Sequence, residues 1–140
     1  MKRRHKARRW VLQILYAWEI QSRSRSLSDE AQDFFSRRRI ASDTRSFAEE
    51  ILAALSNNMD EIDVMVGQSA ENWDPARMSV IDRSILRLAL VEFCYMSDIP
   101  FKVTIDEAIQ LADRYGGKDS ARFVNGVLDA AGRRLDIIPS

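Results

Sequence analysis

Lys2, Arg3, Arg4, Lys6, Arg8 and Arg9 place six cations within the first nine residues, and no acid interrupts them. The chemistry open to such a cluster is neutralisation of phosphates with release of condensed counterions. That gives affinity without base selectivity, and the affinity falls steeply with salt. The remainder of the chain holds 15 of the 21 basic residues against all 21 acidic ones, so a head of about +6 is set on a body of about −6. A polyanion bound at one end, nucleic acid first among them, fits that division.

Selectivity would need rings and amides beside the cations. On a helical wheel Ala7, Trp10, Val11, Ile14, Leu15 and Trp18 fall within an arc of roughly 140°, which predicts a core-facing side. His5, Lys6, Arg9, Gln13 and Tyr16 lie across from it. An exposed stripe that interleaves cations, an amide and a tyrosine suits single-stranded RNA, whose bases stack on the ring while the cations hold the phosphates. The competing reading has Tyr16 covering a bundle edge beside a solvated basic tail, and spacing alone leaves it open.

Other chemistries find little support. His5 is the only histidine and Cys94 the only cysteine, so zinc sites of the usual kind, disulfide frameworks and a Ser-His-Asp relay are not expected. Cys94 sits in an apolar run and reads as a buried small hydrophobe of a reducing compartment. Asp60, Glu61 and Asp63 read as capping and solvation rather than magnesium ligands. Gly116-Gly117 lacks the Gly-x4-Gly-Lys-Ser/Thr phosphate-loop pattern. No catalytic residue, metal or cofactor is expected. No apolar stretch reaches the roughly 18 residues of a membrane span, so a soluble protein is expected. A basic start followed by serines at 22, 24, 26 and 28 also has the composition of a transit peptide, but the large aromatics at core spacing favour a retained helix.

The elements that must position the stripe are helical. With 5 Gly, 3 Pro and no alternating apolar runs bounded by turns, the chain reads as all-α. About seven helices are predicted, near 3–20, 28–38, 44–56, 58–70, 79–97, 104–115 and 119–135. Ser28, Ser42 and Thr104 are predicted caps, Thr104 with Glu107 as a capping box and Ser79 with Asp82 as a weaker one. Gly116 and Gly117 offer a left-handed helix stop, and Gly126 suggests close approach of a neighbouring helix. Val80 to Met96 is apolar on nearly all sides, as the buried centre of a bundle would be. The partners of its charges Arg87 and Glu92, five residues apart, stay open. A joint around Trp73, Asp74 and Pro75 divides a single 140-residue domain into halves of about 1–72 and 73–140.

Three stretches resemble a known family. RRHKARRWVLQILYAWE resembles the basic first helix of the bacterial NusB antitermination factors, MSVIDRSILRLALVEF their central buried helix, and IPFKVTIDEAIQLADRYGGKDSARFVNGVLD their C-terminal signature. The resemblance implies two three-helix bundles packed along the first helix, no enzymatic activity and a cytoplasmic location. It implies binding of the boxA RNA of ribosomal RNA leaders jointly with the ribosomal protein NusE. The complex joins RNA polymerase and other Nus factors and suppresses premature termination; some members form homodimers. Carried onto this chain, the RNA face comprises Lys2 to Arg9, Tyr16, and Lys118, Asp119, Arg122 and Phe123, with Gln13 added by the wheel. Phe123 would stack a second base and Asp119 would accept hydrogen bonds from a base edge. Ser79, Asp82 and Arg83 are candidates for the NusE surface. Arg9 and Trp10 make this start more basic and bulkier than is usual in the family. Two alternatives share parts of the pattern: the NusB-like module of a ribosomal RNA cytosine methyltransferase without its catalytic domain, and a scaffold that binds only proteins.

Overall fold

A computed structural model describes residues 2–73 and 78–139, and among these it forms six helices and no strand. They are α1 (Lys2–Ile20), α2 (Leu27–Ser36), α3 (Ser42–Ser69), α4 (Val80–Tyr95), α5 (Phe101–Tyr115) and α6 (Ser120–Arg134). The two helices expected near 44–56 and 58–70 are one element with a break at Asn58, whose φ of −134° and ψ of 21° leave the helical region. The Asn58 side-chain amide donates to the Ala54 carbonyl at 2.9 Å, occupying an acceptor that the helix would otherwise use. Asp74 and Pro75 of the expected joint lie outside the described residues.

Helices α1, α2 and α3 pack on one another, as do α4, α5 and α6, and α4 also packs on α1 and α3. This is the expected pair of three-helix bundles. The apolar wrap of α4 explains its place: Ile85, Leu86, Leu88, Leu90 and Val91 are buried on several sides because four helices surround it. Its two most buried charges, Arg87 and Glu92, are paired. Arg87 meets Asp63 through Nε at 2.8 Å and Nη2 at 3.1 Å, and Glu19 through Nη1 at 3.5 Å. Asp63, expected to be a solvated acid, is therefore the half-buried counterion of Arg87. Burial pushes the pKa of Glu19 up, but hydrogen bonds from Arg23 and Arg83 and the charge of Arg87 outweigh it and hold the carboxyl at about 2.

Several local expectations are corrected. The cap of α2 is Ser26, accepting from the Asp29 N–H at 3.0 Å, rather than Ser28. Before α3 stands Ala41, with no side-chain cap, so Ser42 is the first helical residue. Thr104 lies inside α5, because the helix begins a turn earlier after Pro100. Ser79 caps α4 as expected, accepting from the Asp82 N–H at 3.0 Å. Gly116 is extended, with φ −88° and ψ −175°, and no described glycine has a positive φ. A Cβ at Gly116 would stand 2.5 Å from Ser120 Cβ and 2.7 Å from the Ala112 carbonyl, so close approach, not handedness, requires the glycine. Gly126 faces the Trp73 ring, with 3.5 Å left for a Cβ, rather than a tightly packed helix. Cys94 is half-buried, its Sγ 3.6 Å from Met65 Sδ.

Candidate nucleic-acid interface

Helix α1 forms because its apolar residues recur at helical spacing, and it holds its place because one long side is buried. Ala7, Val11, Ile14, Leu15 and Trp18 enter the core as the wheel predicts, Trp10 is half-buried, and Leu12 widens the buried side. The opposite side keeps Lys6 and Gln13 exposed, Arg9 half-exposed and the Tyr16 ring 41% exposed. From Lys6 to Tyr16 this strip runs about 15 Å along the helix.

The cations of the first nine residues do not all belong to it. Arg8 is a correction to the expected phosphate face. Its side chain is only 3% exposed, donating from Nε and Nη2 to the Glu92 carboxylate at 2.6 and 2.9 Å and from Nη1 to Glu107 at 3.0 Å. Thr104 Oγ1 adds a hydrogen bond to Glu92 at 2.8 Å, and His5 Nδ1 lies 2.6 Å from the second oxygen of Glu107. The residues read as a capping box thus belong to a buried network joining α1, α4 and α5. A buried guanidinium requires such partners, because an uncompensated charge in the interior costs several kcal/mol.

Arg3 and Arg4 stay on the surface, Arg3 paired with Asp43 and Arg4 3.9 Å from Asp98 and 4.7 Å above the Phe47 ring. Exposed pairs of this kind are worth ~1 kcal/mol or less, so a phosphate can replace the carboxylate at little cost. The side chain of Lys2 lies outside the described residues. Lys6, Arg9, Lys118 and Arg122 form no ion pair among the described residues.

A second part of the interface lies at the turn between α5 and α6. Lys118, Asp119 and Arg122 are exposed there, and Asp119, Arg122 and Phe123 line a pocket of about 590 Å³ together with Trp73, Ser79 and Asp82. The turn is held by Gly117 N–H donating to Ser120 Oγ at 2.8 Å. Phe123 is a second correction, since its ring is only 9% exposed and meets Trp73 edge-on at 5.0 Å, too covered to serve as an open stacking platform. Trp73, 40% exposed, is the open ring at this pocket. The structure brings Ser79 and Asp82 to the same pocket, whereas Arg83 turns away to Glu19 at 2.6 Å. The buried Oδ1 of Asp82 has no hydrogen-bond donor among the described residues.

Tyr16 and Gln13 of the strip line a shallower hollow with Leu12, Ile81 and Tyr115. Ile81 lies between Ser79 and Asp82 in sequence, and Tyr115 directly precedes the α5–α6 turn. The start of α4 therefore contributes to both hollows, while the end of α5 lines one and the turn that follows it the other. Trp73 and Tyr115 were absent from the sequence-derived interface. The signal for each was an aromatic next to a helix stop, indistinguishable in sequence from a ring that closes a core.

Comparison with known proteins shows what the chain and its fold are similar to. The model of the NusB family matches residues 5–133. The transcription antitermination protein NusB of Thermodesulfovibrio yellowstonii is 40% identical over 137 residues, covering 92% of this chain and 90% of the relative. That of Syntrophus aciditrophicus is 38% identical over 130 residues, covering 93% and 80%. Among solved structures, T. maritima NusB superimposes with a TM-score of 0.84 at 34% identity, covering 93% of this chain and 90% of that one. A complex of the antitermination factors NusB and NusE with double-stranded RNA has the same fold, with a TM-score of 0.83 at 21% identity over 96% of this chain and 98% of that one. With the family pattern running from His5 to Arg133 and the helices laid out as in a solved member, this chain belongs to the NusB family.

Proposed function

We propose that this chain is a cytoplasmic transcription antitermination factor that binds boxA RNA of ribosomal RNA leaders together with NusE. It then joins RNA polymerase and other Nus factors and suppresses premature termination. The observation that carries this reading is the exposed strip of Lys6, Arg9, Gln13 and Tyr16 on a helix locked into the core by Arg8. Lys6 and Arg9 hold phosphates, Tyr16 offers a face for one base, and Gln13 offers an amide to a base edge. Lys118 and Arg122 extend the cationic surface, while Asp119 supplies an acceptor that opposes phosphates and so favours a base edge. The Trp73 ring takes the stacking role first assigned to Phe123, which stiffens it from below. NusE docks beside the same pocket, at Ser79 and Asp82. The role is one of binding, with no chemical step.

The test is a titration with a boxA oligonucleotide and a scrambled control, with and without NusE, at about 50 and about 200 mM salt. Preference for boxA that strengthens with NusE is expected. Four unpaired cations at about 0.7 each predict a log–log salt slope near −3 for single-stranded RNA. Equal affinity for both oligonucleotides would reduce the strip to a nonspecific basic patch.

A further inference from the structure

A second arginine cluster, Arg37, Arg38 and Arg39, follows α2 and meets the first helix through Arg38 at Trp10. Arg38 is the anchor. Its guanidinium lies 3.7 Å above the Phe34 ring and 5.7 Å from that of Trp10, and Nη1 donates to the Phe34 carbonyl at 3.3 Å. The two rings meet at 5.3 Å with an interplanar angle of 63°. Cation–π contact and hydrogen bonding together fix the loop on Trp10. Trp10 and Lys6 are one helical turn apart, so the loop adjoins the cationic strip.

With Arg38 held, the arginines on either side of it are exposed. Arg37 has a side chain 72% exposed and a single pair with Asp33 at 3.3 Å, while Arg39 forms no ion pair among the described residues. Two further basic residues upstream are held more firmly: Arg23 is bonded to Glu19 at 2.8 Å, and Arg25, 40% exposed, donates to the Asp29 carbonyl at 2.9 Å besides lying 3.8 Å from Asp33. Arg37 and Arg39 thus remain as two charges beside the strip, carried on a loop that the rings keep from swinging away.

We propose that Arg37 and Arg39 bind the phosphates of RNA that flanks the base-selected element, extending the interface across α1 onto the α2–α3 loop. The occupant is the same RNA strand, because the loop abuts α1 at Trp10, one helical turn from Lys6, and the two arginines present charge without an exposed ring or amide to read a base. The inference rests on the RNA-binding role proposed above.

The test compares R37A/R39A with the unaltered protein on two RNAs, a boxA oligonucleotide and the same element carrying single-stranded extensions at both ends. A second variant, R133A/R134A, removes equal charge from the last turn of α6. The unaltered protein is expected to bind the extended RNA more tightly than the short one. R37A/R39A should abolish that gain, lower the salt slope on the extended RNA by about 1.4 and leave the short RNA unaffected. R37K/R39K should restore the gain. A short RNA that fails to bind the unaltered protein would defeat the antitermination reading itself. Normal binding of the short RNA with no gain from extension, or the same loss in R133A/R134A, would overturn only the role of the loop. So would binding of the loop to NusE alone, with both RNAs unaffected.

Discussion

Replacing Arg8 by methionine keeps most of the stem volume and removes the buried charge. The guanidinium makes three hydrogen bonds of 2.6 to 3.0 Å to Glu92 and Glu107, and the Glu92 side chain is 1% exposed. The substitution strips Glu92 of all its partners but Thr104 and leaves the carboxylate in the core. Breaking a buried pair on one side costs about 3 to 5 kcal/mol, a large part of the ~5 to 15 kcal/mol that stabilises a domain. Urea unfolding should therefore show a midpoint shift of that size with the same slope. Glu92→Leu in the Arg8→Met background should recover much of the loss, since no isolated charge would remain. Arg9→Ala, one position along, should change stability by about 0.5 kcal/mol or less. The reasoning fails if Arg8→Met unfolds at the original midpoint while its RNA affinity and salt slope fall, for Arg8 would then be facing phosphates.

Tyr16→Ala should weaken boxA binding by about 1 to 3 kcal/mol with the salt slope unchanged, whereas Arg9→Ala should lower the slope by about 0.7; both are read from titrations at several salt concentrations. The Glu19 carboxyl, held at about 2 against 4.5 for an ordinary one, contributes stability that is present above pH 4.5 and lost as pH falls toward 2. Glu19→Gln should flatten that part of the stability profile, measured by urea unfolding at successive pH values. Gly126→Ala should stabilise by up to about 1 kcal/mol, since helix propensity improves and the Trp73 ring leaves room, while Gly116→Ala should destabilise by about 1 to 3 kcal/mol against Ser120 and the Ala112 carbonyl. Thermal melts of the two alanine variants should move in opposite directions.

Periodicity made the buried side of α1 and the central place of α4 legible, because each follows from where apolar residues recur. Arg8 was not legible. On the wheel it borders the apolar arc, and its acceptors Glu92 and Glu107 lie 84 and 99 positions away. Thr104 and Glu107 carry the spacing of a capping box, yet Pro100 starts the helix early and frees both for the core. Ser26 and Ser28 are equally good caps by type, and only the path of the loop separates them. The α5–α6 segment was legible as a site through resemblance, but the cover that Trp73 lays over Phe123 depends on a residue 50 positions earlier. Asp63 likewise looked solvated because Arg87, its counterion, belongs to another helix.

The link from Arg8 to Glu92 and Glu107 has a bearing on turnover. Mobile ions reach the outer arginines and lysines but hardly penetrate to a pair sealed in the interior. Raising the ionic strength should thus peel the transcript off while the platform beneath keeps its shape, so that one molecule can be reloaded for successive rounds without refolding.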